Sequence, residues 1–217
     1  MVPTSQINTA RAAQTRKRTR IQRANEGKIL DAGLEIFSTF GFRGATIDQI
    51  ATLAGMTKPN LLYYFRRKQD IYLAVLGRTL EMWLKPLEAL GDNGDPAAEI
   101  LAYIERKLDL SRKNPTASRL FAMEIMQGAP ILGKLLGERL KRLVDEKATL
   151  INQWVADGRL APIDPHHLIF MIWATTQHYA DFEAQIHAVL GGSVDINRHF
   201  DTARKTLEQV FLNGIKR

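Results

Sequence analysis

The sequence predicts an all-α protein. Apolar residues recur at three- and four-residue steps through most of its 217 residues, which is the period of an amphipathic helix. Glycine, proline and capping residues interrupt this pattern at intervals that suit about nine helices. No segment alternates apolar and polar side chains over the length of a strand, and there is no internal repeat. The length fits one or two globular domains.

The N-terminal segment is predicted to be a basic arm followed by a helix. Residues 1–24 lack apolar periodicity, so we expect this arm to be disordered in the free protein. The helical period starts at about residue 28 and places Ile29 and Phe40 on one face. Gly41 is expected to end this helix.

Two short helices follow. Thr46 and Gln49 form a capping-box pattern, in which each side chain satisfies the free backbone N–H of the other residue. A tight turn is predicted over residues 54–56, and Thr57 is a second N-cap. The two helices are predicted over about 46–53 and 58–64.

The remaining two thirds of the chain contain longer helices that are separated by loops. Clusters of Gly, Asn, Asp and Pro predict these loops at residues 91–96, 114–115, 128–130 and 158–165. The acceptor spacing of the first loop does not match a calcium-binding loop. Helices are expected over about 67–90, 97–112, 116–127, 131–157, 166–189 and 195–213.

The net charge of +7 is confined to the N-terminal third of the chain. Residues 1–70 contain twelve Lys and Arg against five Asp and Glu, a difference of +7, and the rest has eighteen of each sign. This asymmetry predicts a polyanion-binding module joined to a module with another task. For the arm alone, a basic tail that only aids solubility is an equal alternative.

Several classes of function are excluded by the composition. The absence of cysteine rules out disulfides, cysteine zinc sites and thiol nucleophiles, and it fits a cytoplasmic protein. No apolar run approaches the ~20 residues that span a bilayer. The motifs of phosphate loops, nucleophile elbows and zinc proteases are missing, so an enzyme is not expected. Asp164, His166 and His167 cluster, but adjacent histidines diverge on a helix, and we expect neither a metal nor a cofactor.

Two short helices joined by a tight turn form a helix-turn-helix, whose second helix reads base edges in the major groove. Lysine suits guanine, asparagine suits adenine and a threonine methyl group suits thymine. Tyrosine hydroxyls and a helix N-terminus can bind phosphate. One of the two adjacent tyrosines is expected to be buried. The predicted DNA-binding residues are Thr46, Thr57, Lys58, Asn60, Leu61, Tyr63, Tyr64 and Lys68. The alternative is a plain three-helix bundle with a solvated charged face.

The same region resembles the DNA-binding domain of the TetR family. The resemblance is carried by the runs Ile29 to Phe37, Gly41 to Ala51, Ala54 to Lys58 and Leu62 to Lys68. It implies an all-helical homodimer that binds a palindromic operator in double-stranded DNA. The head would occupy residues 25–70, and a ligand-binding and dimerisation domain would occupy residues 71–217, with the last two helices at the dimer interface.

The resemblance extends into the second domain. Residues 61–65, 117–121 and above all 160–182 are similar to members of this family that control pyrimidine utilisation. It implies that the effector is uracil or, more weakly, thymine. The likeness begins at about residue 25 and covers most of the chain, while residues 191–200 diverge.

One helix carries the candidate ligand site. Its residues 168–174 are apolar, and the following residues are polar although the helix continues. The Gln177 amide is both donor and acceptor, so it can pair with a ring N–H and the carbonyl beside it. Trp173 and Phe170 lie on the same face and can stack on a flat ring. The predicted ligand-binding residues are Trp83, Phe121, Phe170, Trp173 and Gln177, with Met123, Glu124 and Met126 as further candidates for the opposite wall.

Three functions stay open at this point. The first is a regulator that a pyrimidine releases from its operator. The second is a regulator of the same type that responds to a different small flat heterocycle. The third is a nucleoid-type DNA-binding protein without an effector. As an alternative for residues 175–181, their polar side chains would serve a helix–helix or dimer interface.

Overall fold

The computed structural model describes the backbone of residues 4–92, 94–191 and 196–215, and the side chains of residues 20–92, 94–191 and 198–215. Every regular element within these ranges is helical, which confirms the all-α class. The chain divides into two compact units, Met1–Val75 and Leu76–Arg217. None of the described helices is both long and apolar enough to cross a membrane.

The N-terminal unit consists of α1 (Thr4–Gly44), α2 (Ile47–Leu53), α3 (Lys58–Tyr64) and the first part of α4 (Lys68–Glu88). Helix α1 begins much earlier than predicted, because the arm expected to be disordered over residues 1–24 is helical from Thr4 onward. Residues 4–24 contain no Gly or Pro and are rich in Ala, Arg and Gln, which favour helix without any packing. Residues 1–3 and the side chains of the first nineteen residues lie outside the described part.

Gly41 interrupts α1, as predicted. Its backbone has φ 68° and ψ 174°, a conformation that is essentially restricted to glycine. The interruption lets the chain turn toward α2, and Ala45 N–H donates to the Gly41 carbonyl at 3.1 Å. The direction of the chain between α1 and α2 therefore depends on the glycine at position 41.

The core of this unit lies where α1 meets α2, α3 and α4. Ile29, Phe37, Ile50, Leu61 and Ile71 are fully buried. Gly33 lets helices α1 and α4 approach closely. A Cβ atom at this position would lie 3.1 Å from Ile71 Cγ2 and 3.2 Å from Val75 Cγ2. The packed pair of α1 and α4 supports α2 and α3.

The C-terminal unit continues α4 and adds longer helices. They are α5 (Pro96–Lys113), α6 (Pro115–Met126), α7 (Gly133–Leu135), α8 (Lys141–Ala156), α9 (Pro165–Asp181), α10 (Glu183–Leu190) and α11 (Ile196–Ile215). Loops lie at residues 114, 127–132 and 157–164, as predicted. Residue 93 of the first loop and residues 192–195 lie outside the described part.

Two predicted helices are divided in the structure. The helix expected over 131–157 is split by a π-helical turn at Leu136–Leu140, next to two glycines that weaken helix propensity. The helix expected over 166–189 breaks at Phe182, whose φ of −116° and ψ of 30° separate α9 from α10. No local sequence signal marks the second break.

Helix α5 is central in this unit, since it packs against α9, α11 and α6. The fully buried core residues include Tyr103, Ile104, Ile151, Trp154, Ile169 and Ile172. The indole N–H of Trp154 donates to Asp92 Oδ1 at 2.8 Å, and Arg159 also donates to that oxygen at 2.8 Å. These bonds hold the two loops beside α8 in place.

We expect Gly41→Ala to destabilise the protein by about 1–3 kcal/mol, because alanine pays a steric penalty at this φ and ψ although there is open space for its Cβ. Gly27→Ala is the matched control. Gly27 lies inside α1 with open space around it, so the same change should stabilise by about 0.5–1 kcal/mol. Urea unfolding measures both, and equal effects would contradict the role given to Gly41.

Candidate nucleic-acid interface and ligand cavity

Helices α2 and α3 form the predicted helix-turn-helix. The capping box at α2 is present: Gln49 N–H donates to Thr46 Oγ1 at 3.2 Å, and Thr46 N–H donates to Gln49 Oε1 at 2.9 Å. Gly55 supplies the turn with a φ of 68°. Thr57 caps α3 by accepting the Asn60 N–H at 3.4 Å. The two helices are thus held by local hydrogen bonds.

The outer side of α3 carries four of the predicted DNA-binding residues. Thr57, Lys58 and Asn60 are exposed at its N-terminal end, and Tyr63 is 73% exposed. Thr46 is exposed at the start of α2. Side chains at the N-terminal end of such a helix are the ones that reach base edges. The position of these residues therefore suits the role that the sequence predicts for them.

Lys58 has a partner within the protein. Its Nζ lies 2.8 Å from Asp48 Oδ2, and both side chains are largely exposed, at 49% and 65%. Exposed ion pairs of this kind contribute little to stability. Lys58 can therefore leave Asp48 for a base or a phosphate at small cost.

Leu61 and Lys68 lie elsewhere than expected, while Tyr64 is the less exposed of the two adjacent tyrosines, as expected for one of the pair. Leu61 is fully buried and belongs to the core. Tyr64 is half-buried, and its hydroxyl accepts a hydrogen bond from Asn25 Nδ2 at 2.8 Å. Lys68 turns inward and donates to the carbonyls of Ala45 at 2.7 Å and Arg43 at 3.3 Å. These contacts stabilise the unit, and they correct the assignment of Leu61 and Lys68 to the DNA surface.

The C-terminal unit contains a cavity of about 50 Å³. Four of the five predicted ligand-binding residues line it, namely Trp83, Phe121, Trp173 and Gln177. Its other lining residues are Leu80, Leu84, Leu87, Lys107 and Leu140. One aromatic residue from each of α4, α6 and α9 thus lies around the polar side chains of Lys107 and Gln177. Apolar walls with a few polar groups are the usual composition of a small-molecule site.

The remaining predicted residue, Phe170, lies outside this cavity. It is 47% exposed and faces an outer groove with Leu136, Val144 and His166. It precedes Trp173 by three residues, which rotates it by about 60° around α9. The two rings remain neighbours, with centroids 5.6 Å apart, but only Trp173 faces the cavity.

The further candidates on α6 also lie elsewhere. Met123 is 42% exposed and Met126 is 72% exposed. Glu124 is buried, and its carboxylate accepts the backbone N–H groups of Ile131 at 2.7 Å and Leu132 at 3.1 Å. Glu124 therefore anchors the loop before α7 and is not part of the cavity wall.

Lys107 lines the cavity and was not among the ligand-binding residues predicted from the sequence. It is only 2% exposed, and its Nζ lies 3.2 Å from Gln177 Oε1 and 3.9 Å from the centroid of the Trp83 ring. Burial lowers the pKa of Lys107 to about 7, and the charge of Asp181 opposes this shift. Lys107 continues the buried stripe of Tyr103 and Ile104 on α5. A lysine within an apolar stripe was the signal that could have revealed it.

Hydrogen-bond donors dominate the polar groups of the cavity. The indole N–H of Trp83 is buried and has no hydrogen-bond partner among the described residues. That of Trp173 donates to the Tyr103 hydroxyl at 2.7 Å. Lys107 has three N–H groups, of which Gln177 accepts one. A buried donor without an acceptor costs about 1–3 kcal/mol, so the cavity favours a ligand that brings acceptor oxygens.

Two family models match consecutive parts of the chain. The model described as "Bacterial regulatory proteins, tetR family" matches residues 29–75. The model described as "YcdC-like protein, C-terminal region" matches residues 76–217. The boundary between them coincides with the division between the two structural units.

The chain is 50% identical over 202 residues to the HTH-type transcriptional regulator RutR of Escherichia coli strain K12, which covers 93% of this chain and 95% of RutR. A TetR-like transcriptional regulator from Rhodococcus sp. RHA1 is similar in structure, with 25% identity, a TM-score of 0.63 and coverage of 88% of this chain and 94% of the other. AibR, solved in complex with isovaleryl coenzyme A and operator DNA, has 18% identity, a TM-score of 0.59 and coverage of 72% and 85%. The likeness to AibR is one of fold alone.

We expect Lys107→Met to raise the free energy of unfolding at pH 6 by about 1–4 kcal/mol, because the variant no longer buries an ammonium group. The pKa of Lys107 falls from 10.5 to about 7 on folding. Between these values the unfolded chain binds more protons than the folded one, so wild-type stability rises with pH and the advantage of the variant shrinks.

Urea unfolding at pH 6, 8 and 9.5 tests this expectation. Lys113→Met is the control, since Lys113 lies on the same helix with a side chain that is 62% exposed. A stability difference for Lys107→Met that did not change with pH would speak against the titration of Lys107 in this range.

Proposed function

The chain belongs to the TetR family and is a DNA-binding transcriptional regulator rather than an enzyme, and on this premise we propose that a pyrimidine controls its binding to DNA. In this proposal the protein acts in the cytoplasm and binds a palindromic operator as a homodimer. Uracil and, more weakly, thymine release it from the operator, and the genes under its control serve pyrimidine utilisation.

The observation that carries the proposal is the group of side chains around the cavity. Gln177 offers a donor and an acceptor side by side, which match a ring N–H and an adjacent carbonyl of uracil. Lys107 and Trp83 offer further donors to carbonyl oxygens. The rings of Trp83, Trp173 and Phe121 provide flat apolar walls.

The likeness to RutR supports the same effector. It extends over 93% of this chain, so it includes the ligand-binding unit as well as the DNA-binding unit. The cavity residues on α9 belong to the segment 160–182, in which the sequence resembles regulators of pyrimidine utilisation. A different small flat heterocycle with two carbonyl oxygens is the second candidate, because its oxygens would accept hydrogen bonds from the same donors of the cavity.

The DNA contacts are assigned to the outer side of α3 and to the basic residues around it. Lys58 and Asn60 would read bases, while Thr46 and Tyr63 would bind phosphates. The positive charge of the first 70 residues would displace counterions from DNA, so affinity should fall steeply with salt.

The dimer is assigned to the last helices of the chain. Several apolar side chains are exposed there, with Val189 at 77%, Leu190 at 51% and Val210 at 59%. Large exposed apolar groups of this kind favour burial against a partner. A dimer of this kind would bind half-sites about one helical turn of DNA, 34–36 Å, apart.

Release requires that the effector bind more tightly to a state that does not fit the operator. The shift is limited by the difference in affinity between the two states, typically about 1–3 kcal/mol. A thermal-shift panel of pyrimidines, purines and other ring compounds would identify the effector, because a bound ligand raises the apparent stability.

We expect Asn60→Ala to relax base choice at one operator position by about 1–3 kcal/mol, because the amide would no longer pair with adenine. Binding to a set of operators substituted at each position measures this effect. Lys58→Met removes the other proposed base reader and should relax base choice at a different operator position. Unchanged base preference in Asn60→Ala would remove Asn60 from the reading surface.

Gln177→Ala should weaken the release of operator DNA by uracil at least tenfold and leave DNA binding in the absence of uracil intact. The reason is that the variant loses the paired donor and acceptor of the cavity. Fluorescence anisotropy of labelled operator, titrated with uracil, measures it. Phe170→Ala is the matched control, since Phe170 is on the same helix but outside the cavity. Normal release from Gln177→Ala would contradict the proposed site.

A further inference from the structure

The cavity of the C-terminal unit has more hydrogen-bond donors than acceptors. Among its lining residues, all of which the structure describes, Gln177 Oε1 is the only side-chain acceptor, and it already accepts a hydrogen bond from Lys107 Nζ at 3.2 Å. The indole N–H of Trp83 is buried and has no partner among the described residues. The lining therefore offers a ligand several donors, and it includes no acidic side chain.

Two of these donors lie side by side. Lys107 Nζ lies 3.9 Å from the centroid of the Trp83 ring, and the unpartnered N–H belongs to that ring system. The two residues come from different helices, α5 and α4, and both are buried, with 2% and 6% of their surface exposed. Because packing of the core holds both side chains, the pair of donors is present before a ligand binds.

Among the described residues, no carboxylate contacts the ammonium group of Lys107. Its contacts are the neutral amide of Gln177 and the face of Trp83. Asp181 does not line the cavity, and its Oδ1 accepts a hydrogen bond from Ser118 at 2.5 Å. A buried charge without a paired counterion is costly, so a ligand that supplies the negative charge gains binding energy at this position.

We propose that Lys107 and Trp83 form an oxyanion subsite, so that the cavity binds flat rings with a negatively charged oxygen more tightly than similar neutral rings. The inference rests on the proposed function because it concerns the same cavity, and it adds the charge of the preferred ligand. A neutral carbonyl oxygen of uracil would occupy the subsite as a weaker acceptor. Hydrogen bonds in which the donor or acceptor is ionised are roughly twice as strong as neutral ones.

The first experiment compares uracil with barbiturate by calorimetry at pH 6, with the full chain. Both are six-membered pyrimidine rings, but barbiturate carries a negative charge on its ring oxygens at this pH, whereas uracil is neutral. Barbiturate should bind about tenfold more tightly, because its charged oxygen pairs with the ammonium group of Lys107.

Orotate distinguishes two positions of the anionic oxygen, since its charge is on a carboxylate outside the ring. Tighter binding of barbiturate than of uracil places the charged oxygen on the ring, and tighter binding of orotate places it on a substituent. Either result supports the subsite. If neither anion binds more tightly than uracil, the proposal is overturned.

Lys107→Met should abolish the preference for the anion, because the variant replaces the ammonium group with an apolar side chain of similar length. Lys147→Met is the matched control. Lys147 is also buried, but its Nζ lies 2.9 Å from Glu146 Oε1 and it does not line the cavity, so this variant should keep the preference. Urea unfolding verifies that both variants are folded. A preference that survived in Lys107→Met would overturn the proposal.

The second experiment observes Trp83 in the wild type. In protein with ¹⁵N-labelled tryptophan, the indole N–H resonance that is missing from Trp83→Phe belongs to Trp83. The bound anion should shift this resonance, because the N–H gains an acceptor. The resonance of Trp154, whose N–H donates to Asp92, should stay in place. An unshifted Trp83 resonance in the presence of bound anion would overturn the pairing of Trp83 with Lys107.

Failure of the proposed function gives a different result from failure of the subsite. If an anion binds through Lys107 and uracil does not bind, the proposed effector is wrong and the subsite stands. If uracil binds and both anions bind no better, the effector stands and the subsite is overturned. If none of the three ring compounds binds, both are overturned.

Discussion

The structure of the ligand-binding unit has to stabilise one buried ammonium group, that of Lys107. An isolated charge in an apolar interior is costly, so its neighbours must supply compensating dipoles and charge. For Lys107 these are the Gln177 amide and the face of Trp83. Gln177 on α9 and Trp83 on α4 also line the cavity, so the groups that contact the ammonium form part of its wall. A site that holds a charge without full compensation is also a site that gains from a ligand with acceptor oxygens.

In the DNA-binding unit, the residues that stabilise the structure differ from the exposed residues that can contact DNA. Lys68 donates to two backbone carbonyls, and the Tyr64 hydroxyl accepts a hydrogen bond from Asn25, so both side chains support the unit from within. Asn60 and Tyr63 are exposed, and Lys58 has only a solvent-exposed ion pair to break. Recognition can therefore vary at a few positions on α3 without disturbing the packing beneath it.

Local signals determined the helix ends well where a specific backbone conformation or cap was needed. Gly41 and the capping box at Thr46 act through their own and adjacent residues, and both were readable from the sequence. The π-helical turn at Leu136–Leu140 and the break at Phe182 were not, because they arise within helices whose periodicity continues. The helical arm was missed for the opposite reason: its propensity is high although it has no apolar face.

The sequence by itself determined the all-α class, the helix-turn-helix, the location of the positive charge and four of the residues that line the cavity. The first three follow from composition or from local spacing, while the four cavity residues lie on three different helices, α4, α6 and α9. Only the tertiary structure decided that Lys107 and Gln177, 70 residues apart, meet in one site, and that Phe170, Leu61 and Lys68 face elsewhere. Periodicity shows which side chains share a helical face, but the helix that this face meets is chosen by packing between segments distant in the chain.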